Sequence, residues 1–242
     1  MSKKTTAFDD RMKCYENAYR TYLPKRLPVL IRIDGKAFHT YTKGMDKPFD
    51  SSLFGAMSET CKYLAKNIMG CKLAYTQSDE ISLLLTNDSK LTTEAWFNNN
   101  LQKIVSISAS LATAKFNELM REVAPERPLA LFDARAWVVP KDEVCNYFLW
   151  RQQDATKNSI LTVSQSQFSQ KQLQNLNTSQ LQDKLFLEKG INWNDLPTWQ
   201  KRGVCIVKQS FEKNGALRSK WEVDYDTPIF SQDRQYIEQY VY

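Results

Sequence analysis

Two aspartates stand where an acid can do chemistry. Asp34 closes the run Val29-Leu30-Ile31-Arg32-Ile33 and is followed by Gly35. Asp79 lies in the join Ser78-Asp79-Glu80, between the runs Lys72 to Gln77 and Ile81 to Leu85. A sheet that sets these strands side by side brings both carboxylates to one edge. Hard divalent cations take oxygen ligands, and magnesium commonly uses one or two carboxylates while phosphates and water fill the remaining positions. Two such ions ~3.5–4 Å apart can activate an attacking oxygen and stabilise a leaving one. Asp-Gly and Ser-Asp-Glu are also common turn sequences, so spacing alone leaves a turn and a metal site both open.

Cations follow the first acid closely. Lys36, His39, Lys43 and Lys47 trail Asp34, and acid for metal beside base for phosphate is the composition of a nucleotide site. Lys43 reads better as a solvated loop charge. His39 is the only histidine, which excludes a histidine pair for RNA cleavage, and a Ser-His-Asp triad lacks a nucleophile elbow. Further along, Arg135, Arg151, Lys157, Lys201 and Arg202 accompany Trp137, Trp150 and Trp199, a mixture suited to phosphate contacts and base stacking. The competing reading is an arginine–carboxylate network with Asp133 and Asp154, the latter on one helix face with Arg151.

The elements that must position these groups alternate between periods. The β-branched run predicts a buried strand that ends in a turn at Asp34-Gly35. Asp50, after Pro48, is placed to cap a helix carrying Leu53, Met57, Cys61, Leu64 and Ile68, with Gly70 as its stop. The runs on either side of Ser78-Asp79-Glu80 predict a β-hairpin. Leu101, Ile104, Val105, Ser108, Leu111, Ala112 and Lys115 follow a helical period, with small residues that allow close packing on a sheet. Leu129 to Val139 returns to strand character, and Pro140 and Asp142 open a helix carrying Tyr147, Trp150 and Arg151.

This β-α-β-β-α-β order predicts an α+β fold with a split βαβ, ferredoxin-like core over residues 1–140. Residues 141–242 are expected to form a helical and mixed region that completes one compact unit. Within it, the Gln- and Ser-rich stretch Ser164 to Lys184 reads as short polar helices. Asn177 with Gln180 would cap one that ends at Gly190. Asp195-Leu196-Pro197 and Arg202-Gly203 mark turns, and Tyr236 to Tyr242 reads as a terminal helix or strand.

At 242 residues, with 42% hydrophobic and 25% charged, the chain can bury a core and fits neither a disordered nor a fibrous class. Met1 to Arg20 lacks the apolar centre of a signal peptide, and no run of about 18 apolar residues occurs, so a cytosolic protein without membrane contact is expected. Five scattered cysteines form no C-x-x-C pair, consistent with free thiols in a reducing compartment. A net charge of +6 permits a phosphate-rich partner without requiring one.

Five ordered stretches carry a family resemblance over residues 8 to 210: Arg32-Ile33-Asp34-Gly35-Lys36-Ala37-Phe38-His39, Gln77-Ser78-Asp79-Glu80, Phe132-Asp133-Ala134-Arg135, Asn146-Tyr147-Phe148-Leu149-Trp150-Arg151-Gln152 and Lys201-Arg202-Gly203. They resemble the tRNA-His guanylyltransferase-like family, enzymes that add nucleotides in the 3′-to-5′ direction. The resemblance implies a polymerase-palm-like core with an added helical region, two Mg2+ ions held by Asp34, Asp79 and the Gly35 carbonyl, and Glu80 supporting the acidic cluster as a catalytic group. It further implies that Lys36, Ala37, Phe38, His39 and Ser78 line ATP, GTP or another nucleoside triphosphate and that Lys47 meets its phosphates. Lys103, Arg135, Arg151, Lys157, Asn158 and Lys201 would handle triphosphate or tRNA, in a homotetramer located in the cytoplasm.

One departure separates the branches of the family. Eukaryotic members that mark tRNA-His carry His-Ile-Asn-Asn where this chain reads Thr156-Lys157-Asn158-Ser159. The resemblance therefore favours the bacterial-type branch and templated repair of 5′-truncated tRNAs over addition of one guanylate to tRNA-His. A nucleotide cyclase is disfavoured by Gln77-Ser78, where cyclases carry Gly-Gly. A non-catalytic tRNA-binding protein is the alternative from another class.

Overall fold

The computed structural model describes residues 6–242, so the first five residues of the polar stretch 1–20 lie outside the described residues. Helix α1 (Ala7–Ala18) is held by a capping box between Thr6 and Asp9 and buries no residue. Strand β1 (Val29–Gly35) leads through the short α2 (Phe38–Tyr41) to α3 (Ser51–Asn67). Asp50 caps α3 by accepting from the Leu53 amide at 2.8 Å. Strands β2 (Cys71–Gln77) and β3 (Glu80–Leu85) form a hairpin across Ser78-Asp79, and α4 (Leu101–Val123) then leads to β4 (Phe132–Val138).

These four strands lie antiparallel in the order β4-β1-β3-β2, and β5 (Val204–Lys213) and β6 (Ala216–Asp224) extend the sheet to β4-β1-β3-β2-β5-β6. The order and connections of the first four strands are those of the split βαβ. The last two strands were absent from the sequence reading, and they carry the sheet across the expected 140/141 boundary. Asp34-Gly35 is also not a turn. Both residues remain in β1 because β3 and β4 accompany it that far, with Asp34 opposite Glu80 and Asp133.

Alternation along β1 divides the core. Val29, Ile31 and Ile33 pack with Met57, Leu64, Ile104 and Phe116 from α3 and α4. Leu30 faces the other way, with Leu84 and Tyr75, against Val144, Phe148 and Ile237. These last come from α5 (Lys141–Gln167) and the terminal helix α9 (Gln235–Glu238). The second half of α5 supports a further cluster built on Ile160, Val163, Leu181, Leu185 and Trp193. That cluster takes in α6 (Gln170–Leu173) and α7 (Thr178–Lys189), whose Asn177–Gln180 capping box and left-handed Gly190 are as the sequence predicts. Ser164 to Gln167 belongs to α5 and not to a separate short helix. Helix α8 (Thr198–Arg202) ends at Gly203, φ 73°, where a Cβ would stand 2.5 Å from the Thr76 carbonyl oxygen. No helix is long and apolar enough to cross a membrane among the described residues.

Candidate active site

Because Ile31 and Ile33 face α3 and α4, Arg32 and Asp34 face the α5 side of the sheet. The Gly35 amide donates to the Asp79 carbonyl at 3.1 Å, which ties the end of β1 to the hairpin turn. Gly35 is required there because a Cβ would lie 2.3 Å from the Phe38 ring. That ring is buried among Tyr41, Phe132 and Phe116, with centroids 5.0, 5.1 and 5.5 Å away. The turn itself needs Ser78 in the left-handed region, φ 50°.

The two aspartates feel one another. Burial pushes the Asp79 carboxyl above the usual carboxylate range, and the charge of Asp34 pushes it further, against hydrogen bonds from its own backbone amide and Ser78. The Ser78 hydroxyl donates to Asp79 Oδ1 at 3.1 Å. A pair of acids that repel, with no basic side chain among the described residues bonded to either, is a donor set that a divalent cation satisfies. No cluster of three or more His, Cys, Asp or Glu able to hold a metal occurs among the described residues. Further ligands would therefore be the Gly35 carbonyl, substrate phosphates and water.

Glu80 does not join that pair. Its two oxygens accept from Arg151 Nε and Nη2 at 2.7 Å each, and Arg151 Nη2 also donates to Asp154 at 2.9 Å. Burial raises the Glu80 carboxyl, and the Arg151 fork opposes it. Arg151, expected to handle triphosphate or tRNA, forms the arginine–carboxylate network that was the competing reading: the residue is 5% exposed and its guanidinium is held by Glu80 and Asp154. Both Glu80 oxygens are engaged by Arg151, which ties the start of β3 to α5 beside the acidic edge.

A cleft of about 400 Å³ opens beside the turn. His39, Lys47, Ser78 and Asn158 of the expected residues line it, with Phe54, Trp199 and Arg202. Phe54 and Trp199 stack at 4.2 Å between centroids. Lys36 and Ala37 are exposed and begin the turn into α2, Ala37 with φ 55°. In α2 the Thr40 and Tyr41 amides donate to the Ala37 carbonyl, which leaves those of Phe38 and His39 without an acceptor within the helix. Phe38, by contrast, is a core residue whose ring is 4% exposed, so only its backbone can face a ligand.

The remaining expected residues do not form one cluster. Arg135 lies on β4, 3.6 Å from Asp133. Lys157 is exposed on α5, Lys201 donates to the Asn194 carbonyl beside the cleft, and Lys103 is exposed at the start of α4, 5.8 Å from the Phe97 ring. Sequence reasoning named Trp199 but left out Phe54, the other half of the aromatic wall, and gave Arg32 no role. Arg32 shares the face of Asp34, lies 6.0 Å from the Trp150 ring and keeps a buried Nε without a partner. Alternation from Asp34 was the signal that could have found it.

Residues 9–140 match the family profile described as Thg1: tRNAHis guanylyltransferase. The chain superposes with a TM-score of 0.92 on the structure of a bacterial tRNA(His) guanylyltransferase (Thg1)-like protein in complex with ATP, at 64% identity over 98% of this chain and 100% of that one. A bacterial Thg1-like protein in complex with GTP gives a TM-score of 0.88 at 63% identity over the same shares. The tRNA(His) guanylyltransferase of Saccharomyces cerevisiae is 28% identical over 200 residues, 75% of this chain and 82% of the yeast protein. Together with the paired acids at the sheet edge, these similarities show that the chain belongs to the Thg1 family of tRNA-His guanylyltransferases and their relatives, and is a nucleotidyltransferase.

Proposed function

We propose that this enzyme adds nucleotides in the 3′-to-5′ direction to the 5′ end of tRNA, copying the opposite strand and so repairing truncated ends. The observation that carries the chemistry is the pairing of Asp34 and Asp79 at the edge of the sheet, beside a cleft lined by Lys47, His39 and Ser78. The sheet core is a polymerase-palm-like arrangement in this reading, with α5 to α8 as the added helical region. The bacterial relatives with ATP and GTP support both nucleotides as substrates here.

The reaction has two transfers. An oxygen of the tRNA 5′-monophosphate attacks the α-phosphorus of ATP, and pyrophosphate leaves. The 3′-hydroxyl of the incoming nucleotide then attacks the activated 5′ phosphorus, loses its proton, and AMP leaves. In such displacements positioning and charge neutralisation do most of the catalysis, and no protein nucleophile is needed. Two magnesium ions, when bound, would supply the positive charge that activates the attacking oxygen and offsets charge on the leaving one. Asp34, Asp79 and the Gly35 carbonyl would hold them. Lys47 and the Phe38 and His39 amides would hold triphosphate oxygens, and the stacked Phe54–Trp199 wall would shield the cleft from water.

Thr156 favours repair over the marking of tRNA-His, because the histidine of the eukaryotic pattern is replaced on α5. The test is a panel of tRNAs each lacking one 5′ nucleotide, incubated with magnesium, ATP and all four nucleoside triphosphates. Templated extension across the panel is expected. Addition restricted to full-length tRNA-His would replace this reading with guanylate addition. No extension of any tRNA, with binding retained, would reduce the chain to a binding protein.

A further inference from the structure

The sheet ends in two edges. At one of them β6 closes the β5–β6 ribbon, whose pairing runs out to Lys213 opposite Ala216 around Asn214-Gly215. That edge carries a lysine, and Lys220 is already tied to Glu222 at 2.7 Å. Lysine on an edge guards it against pairing with another chain. At the other edge β4 is seven residues long and holds no lysine, proline or bulge. Its two charges, Asp133 and Arg135, are of opposite sign, more than half exposed, and only loosely joined at 3.6 Å.

The hydrogen bonds of β4 show which of its backbone groups are free. Lys36 donates to the Leu131 carbonyl and Val139 to the Pro28 carbonyl, both in register with the β1–β4 ladder. In an antiparallel pair the residues that face the neighbour with both backbone groups alternate with residues that face away. Leu131, Asp133, Arg135 and Trp137 therefore bond to β1, and Phe132, Ala134 and Ala136 turn their N–H and C=O to the open edge. The Phe132 amide is 3.2 Å from the Thr113 hydroxyl oxygen of α4. Among the described residues the outward groups of Ala134 and Ala136 have no partner.

A second copy of β4 laid antiparallel along this edge must set outward residues against outward residues. The charges then choose the register. Centred on Asp133 or on Arg135, the two-fold axis places like charges directly opposite, which is destabilising. Centred on Ala134, it places Asp133 opposite the partner's Arg135 and Arg135 opposite the partner's Asp133, so one charge pattern satisfies itself twice. We propose that β4 pairs with β4 of a second copy about a two-fold axis at Ala134, joining two sheets into one. The contact is isologous and closes on itself.

Two further features fit this register. Leu131, 49% exposed in the single chain, comes opposite the partner's Trp137, a residue that in each chain packs on Tyr147 at 5.5 Å. Asp133 is also the β4 neighbour of Asp34. The partner's Arg135 therefore stands on the face of Asp34, two strand spacings or roughly 10 Å away. It brings positive charge to the outer flank of the paired acids, which Asp133 alone would make more negative.

The test uses sedimentation of the full chain over a concentration series, without nucleotide or RNA, so its outcome is separate from that of the proposed reaction. Asp133→Arg opposes arginine to arginine at both symmetric positions, and Arg135→Asp opposes aspartate to aspartate. Each variant alone should self-associate at least about tenfold more weakly than the wild type. An equimolar mixture of the two should recover wild-type association, because every opposed pair across the mixed dimer is again of opposite sign. Ala134→Pro, which removes an outward N–H at an edge where proline is tolerated, should also weaken association. Far-UV circular dichroism will show that the variants fold; if Ala134→Pro does not, the charge variants still decide. A wild type that stays a monomer at all concentrations overturns the proposal. So do single variants that associate like the wild type, or a mixture that associates no better than its components.

Discussion

The turn between β2 and β3 and the first residue of β3 carry adjacent carboxylates that the fold treats in opposite ways. Asp79 is half-buried beside the like charge of Asp34, with only its own backbone amide and Ser78 as hydrogen-bond donors. Glu80 is buried, and both its oxygens are held by the Arg151 fork. The pair fixes the start of β3 to α5, and the strand so fixed holds the neighbouring acid at the sheet edge. A buried ion pair is weak evidence of net stabilisation; what it does here is anchor the residue that follows Asp79 to α5.

The comparison is broken most directly at the unpaired acid. Asp79→Asn should lower extension of a 5′-truncated tRNA by about 10³-fold or more, equivalent to ~4 kcal/mol of transition-state stabilisation. Affinity for the tRNA, measured by filter binding, should stay near the wild-type value. Extension within tenfold of wild type would remove Asp79 from the mechanism.

At the paired acid the expected effect is on folding. Arg151→Ala leaves Glu80 buried and unpaired, which costs about 3–5 kcal/mol and lowers the thermal midpoint by roughly 6–20 °C in a chain of this length. Glu80→Gln/Arg151→Met removes both charges and should be less destabilised than Arg151→Ala alone. A loss below about 1 kcal/mol for Arg151→Ala would show that the fork is not what holds β3.

Between the acids and the core stands Gly35. Gly35→Ala drives a methyl into the Phe38 ring, and because that ring is wedged among three others, relief requires the aromatic cluster to shift. The cost should be about 1–3 kcal/mol, read from urea unfolding. A neutral result would mean that the ring is free to move.

What could be read in advance followed from local periodicity. The strands β1 to β3 are short apolar runs, β4 alternates, helices α3 and α4 keep helical spacing, and Asn177 with Gln180 announces α7. The ribbon was missed because it is exposed on both faces and so lacks the apolar alternation that marks a half-buried strand. Asn214-Gly215 was its one strong signal. Helix α1 buries nothing and was marked only by Thr6 and Asp9. Helix α5 runs on through Ser164 because the buried hydroxyl donates back to the Ile160 carbonyl at 2.8 Å, so polar residues there do not interrupt it. Arg151 and Glu80 are 71 residues apart, and the cleft draws on four separated segments. Pairings of that range leave no trace in a local pattern, which is why Asp34 and Asp79 were legible as acids at strand ends while the support beneath them was not.

The smallest effect sharpens the contrast through pH. The Asp79 carboxyl is raised in the folded protein, first by burial and then by Asp34. The folded state thus binds this proton more tightly than the unfolded state. Stability is therefore lost as pH rises from the ordinary aspartate range through the folded value, and stays lost above it. Asp79→Asn removes that penalty. With a chelator present at pH 7, the variant should unfold about 2–4 °C above the wild type, the shift that about 1 kcal/mol produces in a chain this long. The gain should vanish in acid, where Asp79 is protonated in both states. Adding magnesium should stabilise the wild type more than the variant, because a cation that binds only the folded site contributes in proportion to its occupancy. An Asn variant that is no more stable at pH 7 than the wild type, or that gains equally from magnesium, would show that the Asp79 carboxylate carries no such penalty.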